Sequence, residues 1–107
     1  MGGYDAYPAA LSTMEQKILT KHPQGKSGFN ISKQKYDVIR AAIMESLRTK
    51  GALTHTELAK TVKETLKVKL EGSLNWYLEV VKLDLEARKV IERMPRTRPQ
   101  SYRLAQD

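Results

Sequence analysis

The segment VIERMPRTRPQSYRL occupies residues 90–104 and decides how the rest of the chain is interpreted. Apolar and polar residues alternate in its outer parts, 90–94 and 100–104, as they do in β-strands with one buried face. The five residues between these parts begin and end with proline and predict a turn. Ile91, Tyr102 and Leu104 fall on one face of the resulting hairpin, so we expect that face to cover a core.

Three amphipathic helices are predicted ahead of this hairpin, over residues 32–50, 54–66 and 73–89, with a very short strand at 52–53. Ser32 and Ser73 are N-cap residues, and Thr54 with Glu57 forms a capping box. The apolar residues of each helix recur at helical spacing and predict its buried face. These stripes are Tyr36, Ile39, Ile43 and Leu47, then Leu58, Ala59, Val62 and Leu66, then Leu74, Leu78, Val81 and Leu85.

The N-terminal part is predicted to add a short helix. Residues 1–10 show no periodicity and are interpreted as a flexible arm, and residues 11–31 as a helix followed by a basic loop. The helix is expected over 13–21, because Met14 and Ile18 would share one face and Pro23 would end it.

Helix, short strand, helix, helix and hairpin is the element order of a winged helix-turn-helix domain. The predicted fold class is therefore mainly α with a small β-hairpin: a three-helix core plus wing over residues 32–104, and an extra N-terminal helix. One domain also suits the length of 107 residues.

The sequence also resembles a small family of uncharacterised bacterial winged-helix proteins. The resembling stretches are His22-Pro23, Gly25-Lys26, Asn30-Ile31, Lys35-Tyr36, Gly72-Ser73-Leu74-Asn75-Trp76-Tyr77, Lys82-Leu83-Asp84-Leu85-Glu86 and Arg98-Pro99. The resemblance implies a winged-helix fold and carries no functional residues with it.

The net charge of +7 is concentrated in two segments. Residues 17–40 and residues 88–103 each carry six basic side chains and one acidic one, a net +5 each, whereas residues 41–87 have seven of each sign. Positive fields of this kind concentrate phosphates, so nucleic acid is the partner that the charge favours. A solvated surface that keeps the domain soluble is the alternative.

The predicted function is a nucleic-acid-binding winged-helix module, with DNA as the expected partner and transcriptional regulation as a possible role. Arginine forks match phosphate oxygens and enter narrow minor grooves. The wing would contribute Arg93, Arg96, Arg98 and Arg103. Flanking phosphates would be neutralised by Lys26, Lys33, Lys35 and Lys69, and Ser73 and Asn75 would hydrogen-bond bases or phosphates at the start of the third helix.

A second apolar stripe on the third helix supports a rival hypothesis. Trp76, Val80, Leu83 and Ala87 lie nearly opposite the core stripe, where a DNA-recognition helix would present polar groups. We expect this stripe to be covered, either by Leu11, Met14, Ile18 and Leu19 of the N-terminal helix or by a second copy of the chain. The rival function is therefore a protein-interaction or dimerisation winged helix.

Other classes of site have weak support. Gly25-Lys26-Ser27 lacks the first glycine of a phosphate-binding loop, and a helix is predicted before it where such a loop follows a strand. The sequence contains no cysteine and only two histidines, so we expect no metal site and no cofactor. Its serines and threonines lie mostly at caps and turns, so we expect no enzyme. No apolar run is long enough to span a bilayer, and a cytoplasmic protein without a membrane partner is expected.

Overall fold

The computed structural model describes residues 16–67 and 72–105. Within those residues the fold consists of three helices and two small antiparallel sheets. The elements are β1 (Lys17–Leu19), β2 (Asn30–Ser32), α1 (Lys33–Lys50), β3 (Leu53–Thr54), α2 (His55–Leu66), α3 (Gly72–Ala87), β4 (Ile91–Arg93) and β5 (Ser101–Leu104). The expectation of a mainly α chain with a single hairpin is thus too narrow, because a second sheet is present. The predicted arm at 1–10 and Lys69 lie outside the described residues.

Helices α1 and α2 begin where the sequence predicts, whereas Ser73, the predicted N-cap of α3, lies inside that helix, which begins at Gly72. The Ser32 hydroxyl accepts a hydrogen bond from the backbone N–H of Lys35 at the start of α1. Thr54 and Glu57 form both bonds of the predicted capping box at the start of α2. Gly51 ends α1 with a φ of 78°, a left-handed value that glycine adopts without strain. Local side-chain chemistry therefore defines both of these helices.

The second sheet joins the C-terminal hairpin to the short strand between α1 and α2. Its order is β3-β5-β4, with Leu53 opposite Tyr102 and Ile91 opposite Leu104. Ile91 and Tyr102 are buried, and Leu104 packs against the core. The hairpin face that the alternation predicted does cover the helices. Residues 91–104 are called the wing below.

The prediction of an N-terminal helix over 13–21 is wrong for the residues that the structure describes. Lys17–Leu19 is a strand, paired antiparallel with Asn30–Ser32 so that Ile18 lies opposite Ile31. Met14 and the rest of 13–15, like Leu11, lie outside the described residues. The partner of each residue in this segment lies 11 to 15 positions further along the chain, and helical spacing within the segment does not reveal such a partner. Residues 17–32 are called the N-terminal hairpin below.

A glycine closes the N-terminal hairpin. A Cβ on Gly28 would lie 1.7 Å from the backbone oxygen of Thr20, so only glycine fits where the two arms meet. Thr20 donates its backbone N–H to the Phe29 carbonyl at 2.9 Å, and its hydroxyl accepts the Phe29 N–H at 2.8 Å. This closure fixes Phe29 at the edge of the hairpin.

Candidate nucleic-acid interface

The four wing arginines fall into two classes. Arg93 lies 2.6 Å from Glu86 on α3, and Arg103 lies 2.6 Å from Glu92 on the neighbouring strand. The hydrogen bond to Glu86 is the main reason that the pKa of Arg93 is raised. These two arginines therefore brace the wing within the molecule.

Arg96 and Arg98 lie at the wing tip and are exposed. Among residues 16–67 and 72–105, neither has a carboxylate within ion-pair distance. The tip itself is ordered by hydrogen bonds: the Gln100 amide donates to the Met94 carbonyl at 2.7 Å, and the Thr97 hydroxyl accepts the Ser101 N–H at 2.9 Å. Two guanidinium groups are thus presented to solvent on a braced turn.

Helix α3 is enclosed by three different parts of the fold. Leu78, Val81 and Leu85 are buried in the helical core. The face about 140° to 200° from Leu78 carries Val80 and Leu83. These two residues lie against Thr20, Lys21, His22 and residues 27–29 of the N-terminal hairpin. Val80 and Leu83 of the predicted second stripe therefore have an intrachain cover, made by a β-hairpin instead of a helix. The expectation that the whole stripe is covered is wrong for Trp76, which is exposed. Ile18 packs on the core, whereas Leu19 is exposed.

The third side of α3 faces the wing and the start of α2. Lys82 is only 3% exposed, and its ammonium group lies 2.9 Å from Glu79, 2.9 Å from Nδ1 of His55 and 4.4 Å from the centre of the Tyr102 ring. His55, at the first turn of α2, is half-buried in this contact. Within the described part of the chain no group of three or more His, Asp or Glu side chains could hold a metal ion.

Only the first two turns of α3 leave a surface open to solvent. Ser73, Asn75, Trp76 and Glu79 are exposed, while five of the six residues from Val80 to Leu85 are buried. In a helix-turn-helix domain the N-terminal residues of the recognition helix contact the base edges. Contacts from α3 are therefore confined to its N-terminal end, where Ser73 and Asn75 lie.

The predicted lysines differ in their surroundings. Lys26 is exposed in the loop of the N-terminal hairpin, and Lys35 lies with its ammonium group 5.1 Å from the centre of the Tyr77 ring. Lys33 is paired with Asp37 at 2.8 Å, so part of its charge is compensated. Lys26 and Lys35 thus remain as cationic groups beside the N-terminal hairpin and α3.

Three aromatic rings form a cluster at the exposed end of α3. The ring centres of Phe29 and Trp76 are 5.1 Å apart, as are those of Trp76 and Tyr77, and both pairs meet edge to face. Trp76 is 42% exposed and Phe29 is 51% exposed. Ala87, at the other end of the same stripe, is half-buried. The sequence predictions omitted Phe29, although it is the only phenylalanine and follows a basic loop.

Asp84 was also missed as an organising residue. Its carboxylate is fully buried and accepts hydrogen bonds from the Tyr36 hydroxyl, from the backbone N–H of Lys21 at 2.7 Å and from Arg88 at 2.8 Å. Burial, together with the bond to Asp84, raises the pKa of Tyr36 from 10.0 to about 12. The signal that the sequence offered is the position of Asp84 between Leu83 and Leu85, which belong to the two apolar stripes of α3.

Comparison with known proteins gives a family and no further relatives. No curated protein and no solved structure matches the chain. No helix in the described ranges is both long enough and apolar enough to cross a bilayer. A family model described as a family of unknown function (DUF6958) matches residues 17–102, a range that includes the N-terminal hairpin, all three helices and most of the wing. Since the match covers well over half of the sequence, the chain belongs to this DUF6958 family.

Proposed function

We propose that the chain is a winged-helix module that binds nucleic acid, with duplex DNA as its partner. The element order from α1 to β5 and the sheet order β3-β5-β4 support a winged helix, because the short strand after the first helix pairs with the last strand of the wing. Helices α2 and α3 follow one another along the chain, separated by residues 67–71, which is the helix order of a helix-turn-helix arrangement.

One observation carries the proposal: Arg96 and Arg98 are exposed and unpaired at the wing tip within the described chain, while Arg93 and Arg103 are neutralised at its base. A surface that only kept the protein soluble would not require two arginines to be ion-paired and the other two to be left free for a ligand. Guanidinium groups without internal partners are free to form forked hydrogen bonds with phosphate oxygens or to enter a narrow minor groove.

Binding of this kind depends on the backbone more than on base sequence. The N-terminal hairpin covers the face of α3 that would otherwise lie in the major groove, so Ser73 and Asn75 are left as the polar groups of α3 nearest to a bound duplex. Lys26 and Lys35 add positive charge. Transcriptional regulation in the cytoplasm is the role that we propose for such a module.

The exposed pair of Phe29 and Trp76 favours a second candidate function, a protein-interaction or dimerisation module. Exposed aromatic side chains are enriched where proteins meet. The second function predicts an oligomeric state that changes on substitution of Trp76, whereas the first predicts a monomer that binds DNA through the wing.

The experiment replaces Arg96 and Arg98 together with alanine and follows binding to a random duplex by fluorescence anisotropy over a series of salt concentrations. We expect weaker binding and a salt dependence that is flatter by about one unit of slope for each lost phosphate contact. The fold should be unaffected, because both side chains are exposed.

The matched control replaces Lys60 and Lys63 with alanine, since these exposed residues of α2 carry the same total charge. We expect the control to lose less affinity than the wing variant. Equal losses in the two variants would show that only net charge matters, and the wing would then not be the contact surface.

A further inference from the structure

We propose that the cluster of Phe29, Trp76 and Tyr77 is a stacking surface for the unpaired bases of single-stranded nucleic acid. The inference rests on the proposed function and deepens it, because it adds a second kind of nucleic-acid contact away from the wing tip.

The rings are already arranged for a ligand. Each edge-to-face contact fixes the angle between neighbouring rings, 67° for Phe29 with Trp76 and 79° for Trp76 with Tyr77. The closed N-terminal hairpin fixes Phe29 through its two hydrogen bonds with Thr20. About half of the surface of Phe29 and Trp76 nevertheless stays in water. A ligand that covers these rings would therefore bind without first ordering them.

The charge around the rings selects the ligand. The N-terminal hairpin that supplies Phe29 carries Lys17, Lys21 and Lys26 and no acidic residue. None of these lysines forms an ion pair with any residue that the structure describes, and Lys35 lies beside Tyr77. Glu79, one turn after Trp76, is itself paired with Lys82.

This combination suits a ligand with flat rings and negative charge. Single-stranded nucleic acid offers both, since unpaired bases stack on aromatic side chains while lysines follow the phosphates. A second copy of the chain is a poorer partner for the same surface, because it would bring the same lysines against one another. Duplex DNA keeps its bases stacked internally and cannot cover the rings in this way.

The test uses the intrinsic emission of Trp76, which is the only tryptophan in the chain. An oligothymidine of about twelve nucleotides, within the usual range of single-strand binding sites, is titrated into the full-length protein. We expect saturable quenching of Trp76. An abasic strand of the same length keeps the phosphates and lacks the bases, so it should bind more weakly and leave the emission nearly unchanged.

Variants then separate stacking from charge, with a labelled oligothymidine followed by anisotropy. Trp76→Ala and Phe29→Ala should each weaken binding about fivefold or more, whereas Trp76→Phe should retain most of it. Leu19→Ala is the matched control, because it truncates an exposed apolar residue on the same hairpin outside the cluster. The control should bind like the unmodified protein.

Three results would overturn the inference: emission that does not respond to oligothymidine, equal quenching by the abasic strand, or emission that changes with protein concentration alone. The last result would assign the rings to self-association. Failure here is distinguishable from failure of the proposed function, because duplex binding by the Arg96 and Arg98 variant is measured separately. If the Arg96 and Arg98 variant loses duplex binding but Trp76 emission does not respond to oligothymidine, only the present inference is removed and the proposed function stands.

Discussion

Asp84 lies on α3 where that helix meets α1 and the N-terminal hairpin. Its buried carboxylate accepts hydrogen bonds from Tyr36 on α1, from Lys21 in the hairpin and from Arg88 just after α3. A carboxylate without these donors would be strongly disfavoured in such a position. Because one of the donors is the backbone N–H of Lys21, any residue other than proline at position 21 can keep this hydrogen bond between the hairpin and α3.

The phenol of Tyr36 makes the free energy of unfolding depend on pH. Its pKa is raised to about 12 from 10.0, so the folded chain retains the proton more firmly than the unfolded chain does. The stabilising contribution is fully present below pH 10 and is lost as the pH rises toward 12. We therefore expect urea unfolding midpoints to fall over that interval, and Tyr36→Phe to remove this part of the decline.

Tyr36→Phe should also lower the free energy of unfolding by about 1.5–3 kcal/mol at neutral pH, since the lost hydrogen bond has a charged acceptor. Tyr102→Phe is the matched control: Tyr102 is also buried, and its hydroxyl has no hydrogen-bond partner among the described residues. In the Tyr102→Phe control, the urea unfolding midpoint should still fall above pH 10. If both variants lost the fall of the urea midpoint above pH 10 to the same extent, the role given to Asp84 would be contradicted.

At the scale of the element, the N-terminal hairpin depends on Gly28. A methyl group there would meet the Thr20 carbonyl, and the backbone would have to move. We expect Gly28→Ala to destabilise the fold by about 1–3 kcal/mol, as overpacking does elsewhere. The displaced hairpin would also uncover Val80 and Leu83 and change the emission of Trp76.

Ser27→Ala is the comparison for this prediction, because the neighbouring side chain is exposed. It should leave stability and emission nearly unchanged. Chemical denaturation followed by both circular dichroism and fluorescence measures the two effects. Gly28→Ala with unmodified emission would show that the hairpin does not cover α3 in solution.

Elements with local signals could be predicted from the sequence, and those with distant partners could not. Thr54 and Glu57 interact within one helical turn, and the alternation at 91–104 predicts its own buried face. Residues 17–19 become a strand only through pairing with 30–32. The same limit applies to the site: the arginines of the wing are visible as residues, but only the fold shows which of them Glu86 and Glu92 neutralise.

At the scale of the whole molecule, the three parts of the fold converge on α3, so we expect them to unfold together. Core, N-terminal hairpin and wing each bury a different side of the helix. Circular dichroism reports the helices, and Trp76 emission reports the contact with Phe29. The two probes should give coincident unfolding curves, as a two-state transition requires. A fluorescence change that precedes the loss of helix would show that the hairpin is a separate unit.

Because α3 is enclosed, we expect different parts of the chain to differ in how many substitutions they tolerate. Substitutions along the second half of the helix disturb the core, the hairpin or the wing base, so few of them are expected to be tolerated. Arg96 and Arg98 at the wing tip are exposed, so we expect new side chains there to cost the fold little, except for β-branched residues at position 96, where φ is 65°. Diversification of binding preference within the family should therefore accumulate at the wing tip, where selection can act on the ligand without acting on the fold.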